Sequence, residues 1–157
     1  MIKKIFGYFV AFFILLPFIL FVHFARIFIG KDKAVQICGP YATSISKCFL
    51  GIMLPKIESP ADFALFRSKT KANFWMWKPI YNIDVKEENE DILKLNIWNC
   101  PFCELLPAFG IPELNSHVCQ GDWEFAKDNA GLWTFERQHE IGKGDSFCDH
   151  TYKRITT

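Results

Sequence analysis

The sequence lacks a dominant charge. Its 18 basic and 17 acidic residues leave a net charge of +1, and the small excess lies at one end. Lys3, Lys4, Arg26, Lys31 and Lys33 stand against one acid, Asp32, before residue 34, so residues 34–157 hold 13 bases and 16 acids. No basic patch is left to oppose a phosphate backbone, which argues against nucleic-acid partners. Glycine and proline are also scarce, at 9 and 8 residues, and no repeat or low-complexity tract is visible. Collagen-like and disordered chains are excluded on that ground. What is abundant is apolar: half of the 157 residues are hydrophobic and 17 are phenylalanine. The length suits one small domain.

Ile5 to Val22 is an apolar run broken only by Gly7, Tyr8 and Pro17, and it resumes through Ile27, Phe28 and Ile29. At about 1.5 Å per residue, roughly 20 such residues cross a hydrocarbon core. The run is longer than the apolar part of a signal peptide and no small-x-small cleavage site follows it. Residues 1–30 therefore read as an uncleaved single-pass transmembrane anchor, with residues 5–29 as the membrane contact. Arg26, Lys31 and Lys33 outweigh Lys3 and Lys4 in the positive-inside count, which places the C-terminal domain in the cytoplasm. His23 is expected near the membrane interface.

Gly39-Pro40 is expected to interrupt the chain. A juxtamembrane helical segment, 31–58, resumes at Ala42 with Ile45, Phe49, Ile52 and Met53 at helical spacing and closes at Pro55. Ser59-Pro60-Ala61-Asp62 then opens the remaining domain, 59–157, with a helix start: Ser at the N-cap, Pro at N1 and an acid at N3. Phe63, Phe66, Phe74 and Trp77 share a face of that helix, which Pro79 ends. Residues 80–98 alternate with period two around an acidic tip, Glu87 to Asp91, and predict a β-hairpin. Two helices follow, from Cys100-Pro101 to Gly110 and from about Pro112 to Lys127. Residues 132–139 and 146–152 predict a second hairpin, turned at Gly142–Asp145. The expected fold class is α+β: a transmembrane helix, then two β-hairpins forming an antiparallel sheet with packed helices.

Of six cysteines, Cys38 and Cys48 lie on an apolar helical segment, where a buried inert thiol is the default. Cys100 stands at a helix N-terminus, where unpaired amides favour a thiolate. Cys119 and Asp122 share a helix face, and Cys148 and His150 share a strand face. Folding the helix onto the sheet would gather these groups. Cys100, Cys119 and Cys148, with His150, would suit zinc or another divalent transition metal; equally, a Cys nucleophile could act with an acid/base partner. No nucleotide cofactor is expected, and protein partners are not legible. His117, two residues before Cys119, is expected at the surface, and His139 ends a strand near the site. Cys100-Pro101-Phe102-Cys103, after a strand and opening a helix, also looks like a thiol–disulfide oxidoreductase turn, but no later cis-proline segment is visible.

Four strings in order carry a family resemblance: Asn99-Cys100-Pro101-Phe102, Gly110-Ile111-Pro112-Glu113-Leu114, Cys119-Gln120-Gly121-Asp122, and Gly142-Lys143-Gly144-Asp145-Ser146-Phe147-Cys148-Asp149. Over about residues 60–152 the chain resembles the L-2-amino-thiazoline-4-carboxylic acid hydrolase family. The resemblance implies a hydrolase opening a C–N bond of a thiazoline or related cyclic amidine, with a small molecule as substrate or ligand. Carried over by position, its site residues are Cys100, Cys119, Asp122, Asp145, Cys148 and Asp149. Cys100, Asp122, Asp145 and Asp149 are the catalytic candidates, Cys100 as nucleophile and Asp122 or Asp149 as proton carrier. His150 stands where the family pattern leads one to expect an aromatic. Vinyl-reductase-like sensor domains end in a similar Gly-Asp-x-x-Cys turn, which implies a metal-dependent ligand-sensing alternative.

Overall fold

The computed structural model describes residues 2–156, and of residues 2–4 the backbone alone. The side chains of Lys3 and Lys4, which enter the charge count, lie outside the described residues. Helix α1 (Ile2–Ile29) is followed after Gly30 by α2 (Lys31–Met53) and α3 (Phe63–Trp77). The hairpin β1 (Ile83–Glu88) and β2 (Ile92–Ile97) leads into α4 (Pro101–Ala108) and α5 (Asn115–Asp128), and β3 (Trp133–Glu136) and β4 (Cys148–Arg154) close the chain. All strands join one antiparallel sheet in the order β1-β2-β4-β3. The fold is the expected α+β arrangement of two hairpins with helices packed on the sheet.

Local chemistry accounts for the boundaries. The Ser59 amide and hydroxyl both donate to Asp62, at 3.1 and 3.2 Å, and hold the turn that starts α3. Phe63, Phe66 and Trp77 are buried from that helix, with Thr70 between them. They meet Leu93 and Leu95 of β2 and Trp133 and Tyr152 of the second hairpin in one core. Alternation along β2 and β4 sends these side chains to one side of the sheet.

The expected interruption at Gly39-Pro40 does not occur, because α2 runs through both residues. Packing stabilises this helix against the proline. The His117 ring of α5 lies directly on Gly39, in the space a Cβ would fill. His117 is thus half-buried between two helices rather than at the surface. Cys38 is buried, whereas Cys48 is exposed and not the inert core thiol expected.

Helix α1 is long and apolar enough to cross a membrane. It also lies along the rest of the protein. Gly7 approaches the backbone of Pro79 and Ile80, where a Cβ would stand 2.6 Å from the Pro79 oxygen. Ala11, Leu15, Ile19 and Val22 are buried in a core shared with Cys38, Leu106 and Leu114. At its end His23 Nε2 lies 3.0 Å from the Phe109 carbonyl, and Arg26 donates to that of Gly110 at 3.0 Å. The opposite face exposes Phe6, Phe9, Phe13, Phe21, Phe24 and Phe28.

Candidate active site

Between the helices and the sheet lies a partly enclosed cavity of about 100 Å³. Leu15 and Phe18 of α1, Phe49 of α2 and Phe74 of α3 supply part of its apolar wall, while Cys100, Cys119, Asp122, Cys148 and His150 bring the reactive groups. Register explains the convergence. Ile97 pairs with Cys148, Leu95 with His150 and Leu93 with Tyr152, so one face of the central strands alternates between core and chemistry. From the other side α5 presents Cys119 and Asp122, one turn apart.

Four thiols form a chain in this region, and all six cysteines of the protein are free. Cys119 Sγ lies 4.0 Å from Cys103 Sγ and within hydrogen-bonding reach of Cys148, while Cys103 also meets Cys100. Cys119 is the member held most readily as a thiolate. Hydrogen bonds from the Cys103 and Cys148 thiols favour its ionised form most, against the cost of burial, and the Arg137 charge and the Gly142 amide add to them. Cys103 is pushed up by its hydrogen bonds with Cys100 and then Cys119, and Cys148 chiefly by its hydrogen bond with Cys119. Gly142 has a steric reason to be glycine, because a Cβ there would strike Cys119 Sγ. The Ile141 amide in turn donates to Cys148 Sγ at 3.2 Å.

Next to the thiols lies a buried ionic cluster. The Arg137 side chain has no solvent exposure and pairs with Asp122 through Nη1. Its Nη2 donates to the Cys119 carbonyl at 2.9 Å and lies 3.2 Å from Glu140. The rings of Trp123 and Phe135 flank the guanidinium at 5.4 and 5.9 Å. Burial pushes the Asp122 carboxyl up to about 7 despite Arg137, and the Cys119 charge pushes the same way. His150, 3.6 Å from Asp122, is pushed down to about 3 by burial and then by Arg137. It is therefore a neutral imidazole at pH 7. An acid/base group matched to neutral pH thus adjoins a stabilised thiolate.

Asp149 and Asp145 fall outside the cavity, and Cys100 lines it. Asp149 points to the opposite face of the sheet, as its place between Cys148 and His150 requires. Burial would raise its pKa, but the His139 and Gln138 amides, donating at 2.6 and 3.0 Å, hold it below the usual carboxylate range. Asp145 is exposed and accepts the Glu140 amide at 2.7 Å, closing the turn before β4. His139 stacks on Phe147 at 4.6 Å, beside Asp149. Cys100 stands at the N-cap of α4, beside Cys103.

The donor set for zinc, Cys100, Cys119, Cys148 and His150, does not fit a metal centre. Among the described residues no three His, Cys, Asp or Glu groups are arranged to hold one. Cys103 rather than Cys100 is the sulfur 4.0 Å from Cys119, and His150 Nε2 faces Asp122. The oxidoreductase reading also loses its setting, since Cys100 and Cys103 follow a strand of an all-antiparallel sheet with no βαβ crossover. Sequence reasoning missed Arg137, Glu140 and Gly142, and treated Cys103 only as a redox partner of Cys100.

No curated protein matches the chain. A family model described as L-2-amino-thiazoline-4-carboxylic acid hydrolase matches residues 17–152, from the middle of α1 into β4. That span takes in α2, the whole sheet up to Tyr152, and every side chain of the thiol and ionic clusters. The chain belongs to the L-2-amino-thiazoline-4-carboxylic acid hydrolase family.

Proposed function

We propose that this protein is a membrane-associated hydrolase that opens a five-membered cyclic amidine of the thiazoline type, using Cys119 as nucleophile and Asp122 as proton carrier. The observation that carries the reading is the shared cavity wall. A thiolate held by two thiols, an amide and a nearby guanidinium lines the same cavity as a carboxyl whose pKa is about 7. In the first step Cys119 Sγ adds to the carbon between ring nitrogen and sulfur, and the ring nitrogen takes the proton of Asp122. The exocyclic nitrogen then expels the ring nitrogen as an amine, with Asp122 carrying one proton between them. Water, losing a proton to Asp122, finally displaces Cys119 as thiolate and leaves a ring-opened carbamoyl product. The net reaction consumes one water and restores both side chains. Neutral His150 accepts no charge in this scheme.

The membrane contact in this reading is the outer, phenylalanine-rich face of α1, and the excess of Arg26, Lys31 and Lys33 over Lys3 and Lys4 supports a cytoplasmic side for the rest of the protein. Retention in the membrane fraction at alkaline pH tests the contact.

Mass spectrometry with a 2-amino-thiazoline tests the chemistry. Turnover adds one water to the substrate, and rapid quenching traps an adduct on Cys119. Cys119→Ser should abolish both signals, while a variant that keeps turnover would overturn the nucleophile. Binding without any turnover would favour a ligand-sensing role instead.

A further inference from the structure

Helix α1 reverses the usual arrangement of a helix on a water-soluble surface. Every exposed residue between Ile5 and Ile29 is apolar. The polar side chains of that stretch, Tyr8, His23 and Arg26, are partly buried and bond inward, to Glu104 and to the carbonyls of Phe109 and Gly110. A protein-binding face carries a polar rim around its apolar centre, and this stripe has none along its length. Such a distribution matches hydrocarbon. Exposed lysines bracket the stripe: Lys78, beside the Pro79 that Gly7 touches, and Lys33, just beyond Gly30. Both suit headgroup phosphates.

Length and apolarity would let α1 cross a bilayer, but its inner face is taken. The seam against the domain runs from Gly7, packed on Pro79 and Ile80, through Ala11, Leu15, Ile19 and Val22 to Arg26. At 1.5 Å per residue that seam is about 28 Å long, close to the ~30 Å of a hydrocarbon core. A crossing helix would therefore carry the domain into the membrane with it. Leu15 and Phe18, half-way along, line the cavity together with Asp122 and His150, and Asp122 pairs with the fully buried Arg137 side chain. The ionic cluster and the edge strands β1 and β3 would then lie at bilayer depth, where charges and open sheet edges are costly. The family match also begins at residue 17, so the second half of α1 is a part of the domain and not an addition to it.

We propose that α1 does not span a bilayer. It lies in the plane of one leaflet, with its phenylalanine-rich face among the acyl chains and its inner face holding the domain. Both ends of the helix and the whole sheet then stand on one side of the membrane. An in-plane helix of this kind immerses its apolar side by about 5–10 Å, which is the reach of one row of phenylalanine rings. The inference rests on the membrane contact of the proposed function and is independent of the ring-opening chemistry.

The test uses the full chain in inverted membrane vesicles from bacteria that express it. A membrane-impermeant amine reagent is added, and peptide mass spectrometry reads the labelled lysines before and after detergent opens the vesicles. Lys3 and Lys4, at one end of α1, should respond like Lys33 at the other in both conditions. Protection of one end until the vesicles are opened, with the other end labelled at once, shows a span; that result overturns the inference and leaves the membrane contact standing. A chain found in the soluble fraction overturns both and leaves the hydrolytic chemistry untouched, and a dimer in that fraction assigns the face to a second copy. Phe13→Ser, on the exposed face, should raise the soluble-to-membrane ratio by about 10-fold, as expected for removing one buried aromatic side chain. An unchanged ratio would take that face out of the membrane and overturn the inference as well.

Discussion

On the helix side of β4 stand Cys148, His150 and Tyr152, looking into an apolar cavity; on its other side Asp149 meets the amides of the β3–β4 connection. Two carboxyls of the family's strings thereby acquire opposite properties. Asp122, facing the cavity, is pushed up to about 7 chiefly by burial. Asp149 is buried as well, yet amide donors hold its pKa down. Burial alone does not make an acid/base group. What decides is whether donors compensate the charge, and a carboxylate with amide donors is a structural clamp.

The largest expected contrast is in turnover. Asp122→Asn should lower kcat by about 10²- to 10⁴-fold, whereas Asp149→Asn should leave the activity of the folded protein nearly intact. A comparable kcat loss in both variants, with unchanged melting, would erase the distinction between the two faces. The pH dependence sharpens it. Asp122 must deliver a proton in the first step, so kcat/KM should fall as pH rises through about 7, and Asp122→Asn should lose that limb. The stability term runs the same way. The native carboxyl binds its proton more tightly than the unfolded one, so its contribution is full below the unfolded pKa of about 3.9 and is lost as pH rises toward 7.

Replacing Arg137 removes the cation from the same cluster. Arg137→Met should destabilise the protein by about 3–5 kcal/mol, because Glu140 is left buried with a weaker partner. It should also move the alkylation of Cys119 to higher pH, since Arg137 helps hold the thiolate. Thermal melting and iodoacetamide rates across pH measure the two effects. An unchanged alkylation profile would assign the thiolate to its thiol and amide donors alone.

The sequence showed the sheet well because its strands alternate cleanly: Ile83 to Glu88 and Ile92 to Ile97 form a hairpin around the acidic tip. Period two also separates Asp149 from Cys148 and His150, and helical spacing puts Cys119 with Asp122. The strand expected over residues 132–139 ends at Glu136, so Arg137, read as a strand residue, and Glu140 stand in the connection after β3, where no periodicity sets the direction of a side chain. Gly142 was read as a turn residue, and its closeness to Cys119 is a relation between a loop and a helix that only folding creates. The Cys-x-x-Cys spacing carried only part of the arrangement. Cys103 does meet Cys100, and one turn of α4 also carries it inward to α5 and Cys119. The proline in α2 reads locally as a break, and the packing that offsets it, His117 on Gly39, involves a residue far along the chain.

Smaller effects distinguish a tight site from a tolerant one. Gly142→Ala places a methyl group against Cys119 Sγ and should cost about 1–3 kcal/mol, the usual range for overpacking. Because the backbone amide that supports the thiolate must shift with it, Cys119 alkylation at neutral pH should slow. A normal rate would show that the loop gives way without disturbing the sulfur.

On the opposite face the expected change is smaller still and depends on pH in the reverse sense from Asp122. Asp149→Asn keeps one carbonyl oxygen for the His139 and Gln138 amides but removes the charge that strengthens both bonds, a loss of about 1 kcal/mol at pH 7. The folded pKa of Asp149 lies below its unfolded value, so the stabilisation is present above about pH 3.9 and disappears as pH falls through the folded pKa. The melting difference between wild type and Asp149→Asn should therefore be constant near neutrality and close in acid. A difference that instead widened in acid would mean that the carboxyl is stabilised in its protonated form, and the two faces of β4 would then treat their carboxyls alike.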